Sequence, residues 1–238
     1  MCNGKCKSNT ILRVGYLVVI NALLLVGLSA QSVVTLDSLF SPNLGMTKQY
    51  TILMPGKLKE GVRLPVLYLL HGHDGGPRDW IDRTDIELYV DTLALIVVMP
   101  DGENSWYVNS ATDSTRRFED YITSDLRREI NAKYPTDTLR QAIAGLSMGG
   151  HGALLLGMKH PDLYRFVGSF SGAFMYPRQL KDTSQSVRQG LRTTIERAFG
   201  KSYSAHSLNS NVFEAYKQQP ADSLPYFYLA TGIQDGFK

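Results

Sequence analysis

A serine framed by glycines, Gly145-Leu146-Ser147-Met148-Gly149, places the tightest demand on what this chain can fold into. The apolar stretch Leu139–Ala144 before it reads as a strand. Gly150–Met158 after it reads as a buried helix that stops at Lys159-His160-Pro161. A serine at such a strand-to-helix join is held in a strained backbone conformation, with room around it only if the residues two positions away have no side chain. Its hydroxyl is then pushed out at the end of the sheet. It also sits at a helix N-terminus, where unpaired N–H groups favour a developing oxyanion. The pattern recurs by chance in glycine-rich chains, so its strand and helix context carries the argument.

The rest of the chain supplies a sheet for that turn. Leu64–Leu70 and Ala94–Met99 are continuous apolar runs bounded by Gly, Pro and Asp, as expected of parallel strands buried on both faces. Further strands are expected at Tyr50–Met54, Phe166–Phe170 and Tyr226–Ala230. A short helix is expected over Asp85–Leu93. Ile122, Leu126 and Ile130 recur every four residues and mark an amphipathic helix between Glu119 and Lys133. Val187, Leu191, Ile195 and Phe199 mark another, stopping at Gly200. Strand and helix alternate, so the class is α/β. The polar stretches Pro177–Gln185 and Lys201–Asn211 read as loops or as insertions around the site.

The first thirty residues differ in kind. Lys5, Lys7 and Arg13 precede an uncharged run from Val14 to Leu28, and Leu28-Ser29-Ala30 offers small residues before Gln31. This is the order of a secretory signal peptide, which implies a secreted or periplasmic protein; an uncleaved membrane anchor is the competing reading. Residues 31–238 form the single domain expected of this length, with 43% hydrophobic and 20% charged residues in the whole chain suiting a packed core. Those three basic residues carry the whole formal charge of +3, leaving 22 basic and 22 acidic residues beyond the segment. Without a net basic surface, nucleic acid is not an expected partner. Cys2 and Cys6 also fall in the segment, so disulfide, thiolate and cysteine-metal chemistry are excluded for the domain.

Ligands in open parallel sheets bind beyond the carboxyl ends of the strands. His71-Gly-His-Asp-Gly-Gly76 follows one strand, and its glycines let backbone N–H groups turn toward a substrate carbonyl. The N–H groups of His73 and Met148 are the expected oxyanion donors. His71, His73 and Asp74 could instead be metal ligands, but no second ligand cluster accompanies them, and neither metal nor cofactor is expected. Trp106 and Tyr107, in the loop Asp101–Tyr107, could stack on a sugar ring or an aryl acid, or pack under the loop. Asp235 follows the last visible strand, the place of the acid in the chain order Ser, acid, His.

Leu69-Leu-His-Gly72, Val98–Gly102 with Asn104–Tyr107, Ala144–Gly150 and Phe170-Ser-Gly172 together resemble the putative-esterase family of α/β-hydrolases. Members include feruloyl and acetyl-xylan esterases, tributyrin-type esterases, S-formylglutathione hydrolases and mycolyl transferases. The resemblance runs from about Tyr50 to Lys238. It implies an α/β-hydrolase fold, a mostly parallel sheet flanked by helices, with Ser147 as nucleophile, Asp235 as the acid that orients a histidine, and His73 and Met148 as oxyanion donors. The family histidine lies beyond the acid after a further strand, whereas His151, His160 and His206 all precede Asp235. The expectation is therefore a serine esterase sequence incomplete at its C-terminus, lacking the last strand and the histidine loop, and inactive as it stands. The expected substrates are acyl esters of carbohydrates or small alcohols. Acyl transfer to a sugar hydroxyl and an idle carbohydrate-binding relative are the alternatives.

Overall fold

The structure is a computed structural model and describes residues 31–174, 189–201 and 210–235. The signal or anchor segment, Val187 and His206 lie outside these residues, as do most of the two polar stretches. Among the described residues no helix is long and apolar enough to cross a membrane.

Seven strands make one sheet: β1 (Val33–Ser41), β2 (Met46–Met54), β3 (Leu64–Leu70), β4 (Ile96–Pro100), β5 (Thr136–Leu146), β6 (Phe166–Phe170) and β7 (Tyr226–Ala230). Their spatial order is β1-β2-β4-β3-β5-β6-β7. β1 and β2 form an antiparallel hairpin, and β2 meets β4 antiparallel; from β4 to β7 every pairing is parallel. This is the mostly parallel sheet of the α/β-hydrolase fold that the resemblance implies. The helices are α1 (Asp79–Arg83), α2 (Glu87–Leu93), α3 (Phe118–Asp120), α4 (Arg127–Lys133), α5 (Met148–Lys159), α6 (Gln189–Phe199) and α7 (Val212–Lys217), with a π-helical turn Tyr121–Leu126 joining α3 to α4.

Period-two alternation sorts the strand residues onto two buried faces. Tyr50, Ile52, Val66, Tyr68, Leu70, Ile96, Val98 and Ile143 enter the larger core, with the 118–133 helical segment, α5 and Phe199 against them. Leu53, Leu69, Val97, Met99 and Ala144 point the other way, into a smaller core with Val90, Trp80, Ile81 and Ile86. Two covered faces explain why the central strands are apolar without a break. Ile122, Leu126 and Ile130 are each fully buried, as their spacing requires.

Three elements escaped the sequence reading. The stretch ahead of Tyr50 forms β1 and the first half of β2. Most of β1 is exposed, because it is an edge strand with little to bury. α1 and α7 are too short for a helical period to show.

Candidate active site

Ser147 stands at the carboxyl end of β5, between that strand and α5, with φ 55° and ψ −113°. Non-glycine residues with positive φ are uncommon, and three backbone bonds hold this one. Its N–H donates to the Phe170 carbonyl (2.9 Å), while its carbonyl accepts from the His151 N–H (3.0 Å) and the Ala173 N–H (3.1 Å). The flanking glycines are steric necessities. A Cβ on Gly145 would lie 2.4 Å from the Gly149 carbonyl group, and one on Gly149 would lie 2.5 Å from the Leu70 oxygen. Residues Met148 to Met158 of α5 are buried throughout, so the helix cannot yield to relieve the turn. Ser147 itself is half-buried, and among the described residues no side chain bonds its hydroxyl.

The loop after β3 lies beside this serine. A Cβ on Gly72 would sit 3.7 Å from the Ser147 Cβ. Met148 is the first residue of α5, where the N–H has no intrahelical acceptor. The loop's own shape is set by His71, buried under it. The Gly102 N–H donates to His71 Nε2 (3.0 Å), so Nδ1 carries the proton and donates to the Gly72 carbonyl (2.7 Å). Burial pushes the His71 pKa down, against a smaller upward pull from the Gly72 bond. One ring thus ties the loop after β3 to the loop after β4. Asp74 and Asn104 make a second tie, the Asp74 N–H donating to Asn104 Oδ1 (2.7 Å) and Asn104 Nδ2 to Asp74 Oδ1 (2.8 Å). His73 Nε2 lies 3.0 Å from Thr194 Oγ1 on α6, and its Nδ1 lies 3.0 Å from Asp74 Oδ2. Both imidazoles are occupied by protein partners. Among the described residues no group of three His, Cys, Asp or Glu side chains is placed to hold a metal.

Trp106 and Tyr107 correct the sequence reading, in which their rings could meet substrate. They are 1% and 0% exposed. Trp106 packs edge-on against His151 and Phe199 and donates Nε1–H to Thr194 Oγ1 (3.3 Å), and Tyr107 donates its hydroxyl to the His71 carbonyl (3.0 Å). They hold the loop from beneath and present no ring to a ligand.

Asp235 follows β7, at the same sheet edge as Ser147 because β5, β6 and β7 run parallel. Its N–H closes a turn on the Gly232 carbonyl (3.1 Å). No described histidine serves Ser147. His151 is wholly buried one turn along α5, and burial pushes its pKa down to about 4 despite a partial offset from the backbone of Trp106 and Ser210. His160 caps the far end of the same helix, about 20 Å away at 1.5 Å per residue, and pairs with Glu119 Oε1 (2.9 Å). The roles of His71 and Thr194 were invisible in the sequence, since their partners lie up to 121 residues away.

A family model described as putative esterase matches residues 41–222. The S-formylglutathione hydrolase of Mus musculus is 32% identical over 144 residues, covering 52% of this chain and 51% of that protein. The acetyl esterase of Caldicellulosiruptor saccharolyticus is 27% identical over 182 residues, covering 72% of this chain and 66% of that protein. The chain spans about half the length of the first of these relatives. The solved structure of FphF, a fluorophosphonate-binding serine hydrolase of Staphylococcus aureus, is similar with a TM-score of 0.73 at 22% identity, covering 86% of this chain and 80% of that one. At that identity the likeness speaks for the fold.

Proposed function

The chain belongs to the putative esterase family, and from that premise we propose that it hydrolyses carboxylic esters with Ser147 as the nucleophile. The observation that carries the reading is the backbone at Ser147: positive φ at a half-buried serine, a buried helix starting at the next residue and the Gly72 loop beside it. Ser147 Oγ attacks the ester carbonyl. The oxygen that gains charge is met by the N–H groups of Met148 and His73, whose positions are set before substrate arrives. A histidine from outside the described residues takes the serine proton and later returns it to the leaving alcohol, and Asp235 orients that ring. Water then releases the acid. Names among the relatives, S-formylglutathione hydrolase and acetyl esterase, support short acyl groups, and the substrates proposed are acyl esters of carbohydrates or small alcohols. Export through the N-terminal segment belongs to the same proposal, and the exported protein should begin within a few residues of Gln31.

The test uses the full-length protein and 4-nitrophenyl acetate. Ser147→Ala should remove nearly all turnover, and a fluorophosphonate probe should label Ser147 in the parent alone, as read by peptide mass. Unchanged turnover, or label on another residue, overturns the assignment. Asp235→Asn should lower kcat on the order of 10⁴-fold if it fixes the histidine tautomer. Near-parent kcat moves the acid elsewhere.

A further inference from the structure

Lys48, on β2, has only 5% of its side chain exposed. Its ammonium lies between two carboxylates of the loop after β4, 2.7 Å from Asp101 Oδ2 and 2.9 Å from Glu103 Oε1. It also stands 5.7 Å from the centre of the Phe118 ring. Nothing in the chemistry above uses this charge.

Stability alone does not account for it. Taking an ammonium out of water is costly, and a buried ion pair commonly contributes no more than well-packed apolar side chains of the same volume would. The arrangement has a different property: both carboxylates belong to one turn, two residues apart, and a single ammonium holds them. Between them is Gly102, whose N–H donates to His71 Nε2 (3.0 Å). The turn is not one that these residues favour by themselves. Glu103 has φ 46°, a backbone conformation that a side chain disfavours, and two like charges so close along the chain repel. Lys48 cancels that repulsion and fixes the separation. The Asp101 N–H is held by the carbonyl of Gln49 (3.0 Å), the neighbour of Lys48 on β2, and the Glu103 N–H by Asp101 Oδ1 (3.0 Å). Arg116 binds the other oxygen of Glu103 (2.7 Å). Burial raises the Glu103 carboxyl, but the bonds from Lys48 and Arg116 outweigh it and hold its pKa below the usual carboxylate range.

From Gly102 the connection continues to the nucleophile. His71 Nδ1 donates to the Gly72 carbonyl (2.7 Å), and a Cβ on Gly72 would sit 3.7 Å from the Ser147 Cβ. We propose that Lys48 is a positioning residue for the oxyanion loop: by holding Asp101 and Glu103 together it aims the Gly102 N–H at His71, and His71 sets the Gly72-His73 backbone beside Ser147. It touches neither substrate nor the reacting atoms. Its role in turnover rests on the serine-esterase reading; its hold on the loop does not.

The experiment is a double-mutant cycle between Lys48→Met and His71→Phe in the full-length protein. Two quantities are read: kcat and KM on 4-nitrophenyl acetate, and hydrogen exchange in peptides spanning residues 71–76, with residues 150–158 as control. Lys48→Met alone should lower kcat about tenfold, less than the 10²–10³ expected for an oxyanion donor removed outright, with KM within about twofold of the parent. Exchange should quicken in 71–76 and stay at the parent rate in 150–158. With His71→Phe already present, Lys48→Met should change neither quantity further, because the connection is already cut. A lysine that only supports the fold would give kcat losses that multiply and the same added exchange in both backgrounds, and that result overturns the proposal. Parent kcat or parent exchange in 71–76 for Lys48→Met overturns it as well. Because Lys48→Met leaves two carboxylates without their partner, Lys48→Met/Asp101→Asn/Glu103→Gln is measured beside it; neutral at all three positions, it removes that penalty and is held to the same outcomes. Turnover that survives Ser147→Ala would mean that the serine-esterase reading has failed instead, and the exchange cycle then decides by itself whether Lys48 positions the loop.

Discussion

Two glycine-rich turns meet at the candidate site, and they are built by different means. The turn at Ser147 is marked out by neighbours in sequence, the strand before it, the buried helix after it and the glycines Gly145 and Gly149, while backbone from Phe170, Ala173 and Leu70 packs against it. The turn at His71–Gly76 is shaped from far away. It depends on Gly102, Asn104, Tyr107 and Thr194, residues 30 to 121 positions distant. A candidate nucleophile can therefore be recognised from five residues, whereas the loop proposed to stabilise its oxyanion takes its geometry from two other elements, the loop after β4 and α6.

The contrast can be broken at the point where the turns touch. Gly149→Ala would drive a Cβ to 2.5 Å from the Leu70 oxygen and 2.6 Å from that of His71, backbone atoms of two packed elements. The expected cost is about 3 kcal/mol or more, with loss of turnover, read by denaturant unfolding. A stable, active Gly149→Ala protein would show that the turn at Ser147 tolerates distortion, and the contrast would fail.

Acid should act next most strongly, through the turn that is shaped locally. The folded pKa of His151 is depressed from the model-compound value of 6.5 to about 4, so between those values the unfolded chain binds more protons than the folded one. Stability is full above pH 6.5 and falls as pH drops toward 4, by about 3 kcal/mol in total from this residue. His71, also depressed by burial, pushes in the same direction. Unfolding midpoints measured from pH 7 to pH 4 check this, and His151→Phe should flatten the part of the slope that His151 causes. An unchanged slope would mean that the buried ring is not what acid attacks.

The smallest effect should come from the remotely shaped turn. His71→Phe leaves the Gly102 N–H and the Gly72 carbonyl without their partner and should cost about 1–3 kcal/mol of stability. It should lower kcat roughly 10- to 100-fold, less than the 10²–10³ expected when an oxyanion donor is removed outright, with little change in KM. Parent-like kcat in this variant would show that the loop holds its shape without the His71 tie.

What was legible in the sequence follows the same division. The runs at Leu64–Leu70, Phe166–Phe170 and Tyr226–Ala230 match β3, β6 and β7 residue for residue, because continuous apolar runs between turn residues leave few alternatives. The Ser147 turn was legible because the strand, the glycines and the helix that mark it are contiguous in the chain. β1 was missed because an edge strand buries too little to write a pattern. The rings of Trp106 and Tyr107 could equally have faced a ligand or the core, since nothing in Asp101–Tyr107 says which side of the loop the protein occupies.

By itself the sequence determined the class, the places of the central strands and the position of the serine, since each depends on sterics and hydrophobic periodicity within a few residues. Only the tertiary structure decided that His71 is a clamp, that Trp106 and Tyr107 are buried supports, and that Lys48 joins Asp101 to Glu103. Hydrogen bonds of that kind join residues from separate elements, and no local property of the chain records which distant partner will be within 3 Å.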